Sequence, residues 1–263
     1  MCGRYAILSA PEAIRALFAY QERPNFPPRY NVAPSQPIPI VRLADGVRQF
    51  ALVRWGLIPS WVKDPRAFAL LINARGESVN EKVAFRNAMR RRRCLVPADG
   101  FYEWKREGNR TRPYFVRRKD RKPLALAGLW ETWIGPNGEE MESAAIVVTG
   151  ANRTLAAIHD RMPVIVPPEA FELWLDCANV DAQTAAALIA PAPDGLLEAY
   201  EISPAINRAA NDGATLIEPL NAGAAAAVTA MPAELAAAPT ETTASPAPKK
   251  RRPKKDDGQA SLF

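Results

Sequence analysis

A cysteine stands at position 2, in Met1-Cys2-Gly3-Arg4-Tyr5. Removal of Met1 would leave Cys2 with an α-amine and a thiol on adjacent carbons. The α-amine of a chain end has a pKa of about 7.7–8.0, so part of it is neutral and nucleophilic near neutrality; a lysine amine, at about 10.4, stays protonated. An aldehyde meeting this pair forms an imine with the amine. The thiol then adds to the imine carbon and closes a five-membered thiazolidine, an intramolecular step that gains from high effective concentration. On position alone, a cysteine of no chemical consequence is the simpler reading. Cys94, before Leu95-Val96-Pro97, and Cys177, closing a helical apolar stretch, read as small core residues.

Three further positions carry reactive groups. Glu103 lies in Pro97-Ala98-Asp99-Gly100-Phe101-Tyr102-Glu103-Trp104. A carboxylate among aromatics is a candidate for a raised pKa and for general acid–base work. The alternative is a glutamate on the solvent face of a strand whose aromatics point inward. His159 is the only histidine, which excludes multi-histidine metal centres, and Ile158-His159-Asp160-Arg161-Met162-Pro163 reads as a loop at a surface or cleft. Asn73 and Arg75 follow an apolar run at 68–72 and share one side of an extended segment. There Arg75 suits a phosphate and Asn73 a polar group. Trp61, in the loop Trp55-Gly56-Leu57-Ile58-Pro59-Ser60-Trp61, suits stacking on a base, whereas Trp55, at a strand end, suits the core.

The elements that must position these residues form an ordinary soluble chain. It has 263 residues, 48% of them hydrophobic and 24% charged, with three cysteines. That excludes a disulfide framework or a four-cysteine zinc site, and a reducing, cytoplasmic setting fits. No apolar run approaches the roughly 20 residues of a membrane span, and the N-terminus lacks the layout of a signal peptide. The net charge of +6 is concentrated at the end: 249–257 carries +4, and the rest is nearly neutral. Two local basic runs remain, at 90–93 and 117–122, each readable as a solvated face.

The segment 221–248 is mostly Ala, Thr and Pro and reads as a flexible linker, followed by the tail 249–263. The folded part is then 1–220, a single domain. Ser9-Ala10-Pro11-Glu12 reads as a capping box opening a helix to about residue 20. Strands are expected over 38–43, 50–56, 94–97, 114–117, 124–129 and 144–149, and helices over 83–93, 168–175 and 181–189. Strands and helices do not alternate regularly, so a doubly wound parallel sheet is not expected. The expectation is an α+β domain with a strongly bent antiparallel sheet or barrel-like core and flanking helices.

Taken together, Cys2-Gly3-Arg4, Tyr30-Asn31-Val32-Ala33-Pro34, Trp55-Gly56-Leu57-Ile58-Pro59, Asn73-Ala74-Arg75, the segment around Glu103, Ala127-Gly128-Leu129-Trp130 and His159-Asp160-Arg161-Met162-Pro163 occur in one order. In this the chain resembles the SOS-response-associated peptidase family, also called abasic-site-processing or SRAP proteins. The resemblance implies a DNA damage response protein that senses abasic sites in single-stranded DNA and traps them covalently through Cys2. It needs no cofactor and no metal. It implies further that Asn73 positions the reacting amine or sugar, that Glu103 serves as acid and base, and that His159 assists proton transfer and reversal. Arg4, Arg75 and Arg161 would then contact DNA, with Trp61 stacking or wedging. Gly76-Glu77-Ser78 departs from the family's pattern, which often has a bulkier residue at the first position. The competing readings are a cysteine peptidase using Cys2 and His159, and a non-enzymatic DNA-binding module. The final Gln259-Ala260-Ser261-Leu262-Phe263 looks like the short peptide by which bacterial repair proteins dock on the sliding clamp, with Gln259 at the rim of an apolar pocket filled by Leu262 and Phe263.

Overall fold

The structure is a computed structural model and describes residues 2–220. Met1, the 221–248 segment and the tail with Gln259, Leu262 and Phe263 lie outside the described residues. In chain order the first elements are β1 (Tyr5–Ile7), α1 (Pro11–Phe18), β2 (Arg29–Val32), β3 (Pro37–Ala44), β4 (Val47–Trp55), β5 (Asn73–Arg75), α2 (Arg86–Arg91) and β6 (Arg93–Ala98). There follow β7 (Gly100–Glu107), β8 (Arg110–Arg118), β9 (Leu124–Ile134), β10 (Glu140–Gly150), α3 (Arg153–Ala156), β11 (Arg161–Pro163), α4 (Phe171–Leu175), α5 (Ala182–Ala186) and β12 (Leu197–Glu201).

Five strands close on themselves. β10, β4, β3, β6 and β9 pair in that order, and β9 pairs back onto β10. All these pairs are antiparallel except β10 with β4. Closure removes the open edges that a flat sheet would expose. Alternation along the strands sorts the side chains. Ile38, Ile40, Val53, Trp55, Cys94, Val96, Leu126, Ala144 and Ile146, drawn from all five ring strands, join one buried cluster that also holds Cys2 and Tyr5. Their sequence neighbours Val41, Leu95, Ala127 and Ala145 join another, covered by Phe18 of α1, Met89 of α2 and Trp174 of α4. The α+β expectation with a barrel-like core is met.

A second sheet, ordered β12-β8-β7-β1-β2, carries the N-terminus. Tyr5 sits between Val32 and Phe101, so β1 is paired on both sides. Gly100 at the start of β7 makes room for the Phe115 ring of β8: a Cβ there would lie 2.4 Å from it. Beyond β10's pairing with β4, the same edge accepts the short β5 in parallel, Asn73 opposite Ile146.

Two local expectations are corrected. Ser9 does not cap α1, whose N-cap residue, Ala10, has no capping side chain. Asp99 claims Ser9 instead, accepting from its hydroxyl and backbone N–H and from the N–H of Leu8. The helix expected over 83–93 is confined to α2, because Arg93 already begins β6 and is 1% exposed.

Candidate functional site

Three pieces of backbone meet at Cys2. The residues leading into β1 bring it in, and the Tyr102 N–H donates to the Arg4 carbonyl at 3.0 Å, tying this lead to β7 one residue before Glu103. The parallel pairing of β5 with β10 brings Asn73, whose side-chain amide donates to the Cys2 carbonyl at 2.9 Å. The other amide atom, Oδ1, is buried and has no hydrogen-bond partner. A buried acceptor left unmatched is unfavourable, and here it lies on the side chain that already holds Cys2.

Burial sets the chemistry of this corner. Cys2 is 0% exposed; desolvation, with the charge of Glu103 adding to it, pushes the thiol well above its ordinary range. The thiol therefore keeps its proton until a base removes it. Glu103 is 1% exposed, so the solvent-face alternative for it falls. Burial pushes its carboxyl up to about 7, and the charge of Asp160 acts in the same direction. A carboxyl that titrates near neutrality can serve as acid in one step and base in the next. Sequence reasoning passes over Asp160, because a surface carboxylate beside a histidine has no telling spacing until the fold brings it towards β7.

His159 follows α3, which is capped by the Asn152 side chain accepting from Leu155 N–H. Its Nδ1 accepts from the Arg161 N–H at 3.0 Å and lies 3.0 Å from an Asp160 carboxylate oxygen. Burial holds the imidazole below its ordinary pKa. In the neutral form the Arg161 hydrogen bond assigns the ring proton to Nε2.

The remaining candidates spread outward from this corner. Arg4 turns inward, its Nη1 donating to Asn31 Oδ1 at 2.7 Å and to the Ile206 carbonyl at 3.2 Å. Arg161 pairs with Glu77. Arg75 is exposed on β5. Trp61 is 56% exposed, edge-on to Phe68, while Trp55 is fully buried against Tyr5. Trp61, Asn73, Arg75, Lys82, Val83 and Phe85 border an apolar groove of about 500 Å³. Lys82 and Val83 lie in a turn and carry no sequence signal of their own. Gly76 has a local cause: a Cβ there would come within 2.2 Å of the Ile189 side chain, which fills the space a bulkier residue would need.

Of the two basic runs, the one at 117–122 has its three arginines tied into ion pairs. Arg117 and Arg121 pair with Glu198, and Arg118 with Asp120. The run at 90–93 divides. Arg90 and Arg91 are exposed and Arg92 pairs with buried Glu131 at 3.0 Å. Arg93 turns inside, donating to the carbonyls of Met89, Trp174, Asp176 and Val180. A uniform phosphate-binding run is thus not what the fold makes of these four residues.

The model of the family described as "SOS response associated peptidase (SRAP)" matches residues 1–209. The chain is 37% identical to the abasic site processing protein YoqW of Bacillus subtilis over 222 residues, 83% of this chain and 99% of that one. It is 32% identical to the abasic site processing protein YedK of Escherichia coli, covering 84% of this chain and 100% of that one. The abasic site processing protein HMCES of Xenopus tropicalis is 30% identical, over 81% of this chain and 76% of its own length. A crystal structure of a protein from Bacteroides thetaiotaomicron superposes with a TM-score of 0.75 at 27% identity, covering 83% of this chain and 99% of that one.

Proposed function

The chain belongs to the SOS response associated peptidase family, and from that premise we propose that it traps abasic sites of single-stranded DNA on Cys2. The observation that carries the reading is the meeting of Cys2, Asn73 and buried Glu103 at one corner, where β5 joins the edge of β10 and β7 pairs with β1. The names of the relatives, abasic site processing proteins, supply the substrate class.

The steps follow from the groups. Met1 is removed, and its loss gives Cys2 the α-amine. Glu103 in its acid form helps open the deoxyribose to the aldehyde. The amine adds to the carbonyl carbon, and the carbinolamine loses one water to give the imine. The thiol sulfur then bonds to the imine carbon, its proton passes through Glu103 to the nitrogen, and the thiazolidine closes. The net change is one molecule of water released. Asn73, holding the Cys2 carbonyl, fixes the orientation of the amine. An imine left open would promote β-elimination and strand breakage; capture by the thiol removes it. Cysteine, with both nucleophiles, is what separates protection from lyase chemistry.

Incubating the Met1-free protein with an abasic single strand and running a denaturing gel tests this. A heat-stable shifted band that vanishes in Cys2→Ala is the expected result. A protein that crosslinks while fully retaining Met1, seen by intact mass, would overturn the thiazolidine. Peptide cleavage by a Cys2–His159 pair would instead appear as Cys2-dependent proteolysis without a shifted band.

The reading extends to the last five residues, which we assign to docking on the bacterial sliding clamp. Leu262 and Phe263 would fill an apolar pocket, and a tether at raised effective concentration would let the domain search nearby DNA. Fluorescence polarisation with the 255–263 peptide and purified clamp tests it. Absence of binding, or binding unchanged by Leu262→Ala with Phe263→Ala, defeats the assignment and leaves the abasic-site chemistry standing.

A further inference from the structure

The groove at Asn73 has a neighbour. A second groove, of about 510 Å³, is lined by Ser60, Arg86, Asn87, Arg90 and Glu131, and the two share Trp61, Val83 and Ala84 as their common border. Trp61 and Val83 are 56% and 57% exposed. Two large apolar side chains standing out of the surface between the apolar groove at Asn73 and this more polar one form a partition whose faces suit unpaired bases. Arg86 and Arg90 are four apart on α2, hence on one helix face, while Ala88 and Met89 bury the opposite face. Glu131 would repel a phosphate if its charge were open, but Arg92 neutralises it at 3.0 Å. What remains facing the groove is the positive charge of Arg86 and Arg90.

We infer that this face of α2 is a track for the unpaired strand on one side of the lesion, with Arg86 and Arg90 holding its phosphates and Trp61 and Val83 separating it from the lesion groove. The inference rests on the abasic-site reading and adds to it a direction: the strand leaves the reactive corner over the Trp61–Val83 partition and along α2. The second groove is the size of a nucleotide or two, so the track engages only strands that extend beyond the lesion on that side.

The test uses the full chain, freed of Met1, and strands carrying a tetrahydrofuran abasic analogue, which has no aldehyde and reports binding alone. A short lesion-centred strand is compared with strands lengthened by about six nucleotides on the 5′ or the 3′ side, within the footprint of small single-strand sites. Fluorescence anisotropy should show an affinity gain for one extension only. That gain should vanish in the double variant Arg86→Ala with Arg90→Ala and return in Arg86→Lys with Arg90→Lys, since ammonium groups also hold phosphates. Loss of two single-strand phosphate contacts lowers the salt slope by about 1.4, so between about 50 and 200 mM salt the parent should lose about sevenfold more affinity than the variant. Both arginines are exposed, and an unchanged melting temperature shows that the variant is folded. Equal gains on both sides, a gain that survives the double variant, or a gain seen only with a duplex arm would each overturn the track. Crosslinking to a short aldehyde-bearing strand is read in parallel. Its failure in the parent condemns the abasic-site reading, whereas its success beside a failed length effect condemns the track alone.

Discussion

Cys2 and Glu103 are 0% and 1% exposed, whereas Arg86 and Arg90, a short way across the same domain, are open to solvent. Around Cys2, desolvation is the dominant force. It raises the thiol and, outweighing the opposing positive charge nearby, carries Glu103 to about 7. Along α2, water screens the charges and little internal order is demanded of them. The difference teaches where each kind of change will register. Substitutions at the buried corner should alter rates and pH profiles, because burial is what tunes those groups. Substitutions on the exposed helix should alter affinity and its salt dependence, because additive phosphate contacts are what such arginines supply.

The sharpest way to break this contrast is Cys2→Ser. It keeps the α-amine and removes the better nucleophile, so the heat-stable band should disappear entirely and strand scission through the imine should rise. A normal yield of stable crosslink would mean that the thiol closes no ring. Next comes Glu103→Gln, expected to slow crosslinking by about 10²–10⁴ while leaving binding to lesion-free DNA nearly unchanged. In the parent, the base form of Glu103 accumulates as pH rises through about 7, so the proton-removing step should accelerate over that range; the variant should lack this limb. Stability moves the other way. A folded pKa above the unfolded value favours the protonated fold, a contribution fully present below about pH 4.5 and lost as pH rises through about 7. Thermal melts from about pH 5 to about pH 8 should therefore fall more steeply for the parent than for Glu103→Gln. Parallel melts would show that the carboxyl is not perturbed in solution.

Arg93 tests the contrast from the other side, as an arginine taken into the buried regime. Its guanidinium satisfies four backbone carbonyls near the C-terminal ends of α2 and α4, and no carboxylate is among them. Arg93→Ala strands those acceptors, and chemical denaturation should register a loss of about 3 kcal/mol. Arg93→Lys should recover only part of it, since one ammonium cannot match a planar fork of donors. A loss below about 0.5 kcal/mol would place Arg93 with its surface neighbours.

How far these features could be read from the chain depends on whether their cause is local. The ring strands at 38–43, 94–97, 124–129 and 144–149 are visible because continuous apolar runs bounded by turn residues have few other solutions. β1, β5 and β11 are three residues each, too short to carry a period, and they exist because longer strands offer them an edge. The reactive corner is legible as residue types, Cys2, Asn73, Glu103 and His159, but its assembly is not. The hydrogen bond from Asn73 to Cys2 spans 71 residues. The false capping box has the same origin, because Asp99, ninety residues away, competes for Ser9 and wins. The arginine run misleads most. Four identical side chains in a row look like one patch, and only the start of β6 at Arg93 sends the last of them inward.

The smallest expected effect isolates that lesson. Arg91 lies on α2 beside Arg90 and is equally exposed, but it borders grooves with Cys177, Ala178 and Asn179 and not the one behind Trp61 and Val83. A residue one position along a helix is rotated about 100° from its neighbour, which turns Arg91 away from the face shared by Arg86 and Arg90. Arg91→Ala should therefore shift stability by no more than about 0.5 kcal/mol, as exposed substitutions do. It should leave crosslinking intact and should not flatten the salt dependence of binding to the extended strand. If instead it lowers the salt slope by about 0.7, as a lost single-strand phosphate contact would, the strand is held by a diffuse basic surface. The facing of α2 would then count for nothing, and the contrast between Arg90 and Arg91 would collapse into simple charge density. Equal slopes in the parent and Arg91→Ala, beside a reduced slope in the Arg86 and Arg90 pair, would instead show that helix geometry selects which arginines touch the DNA.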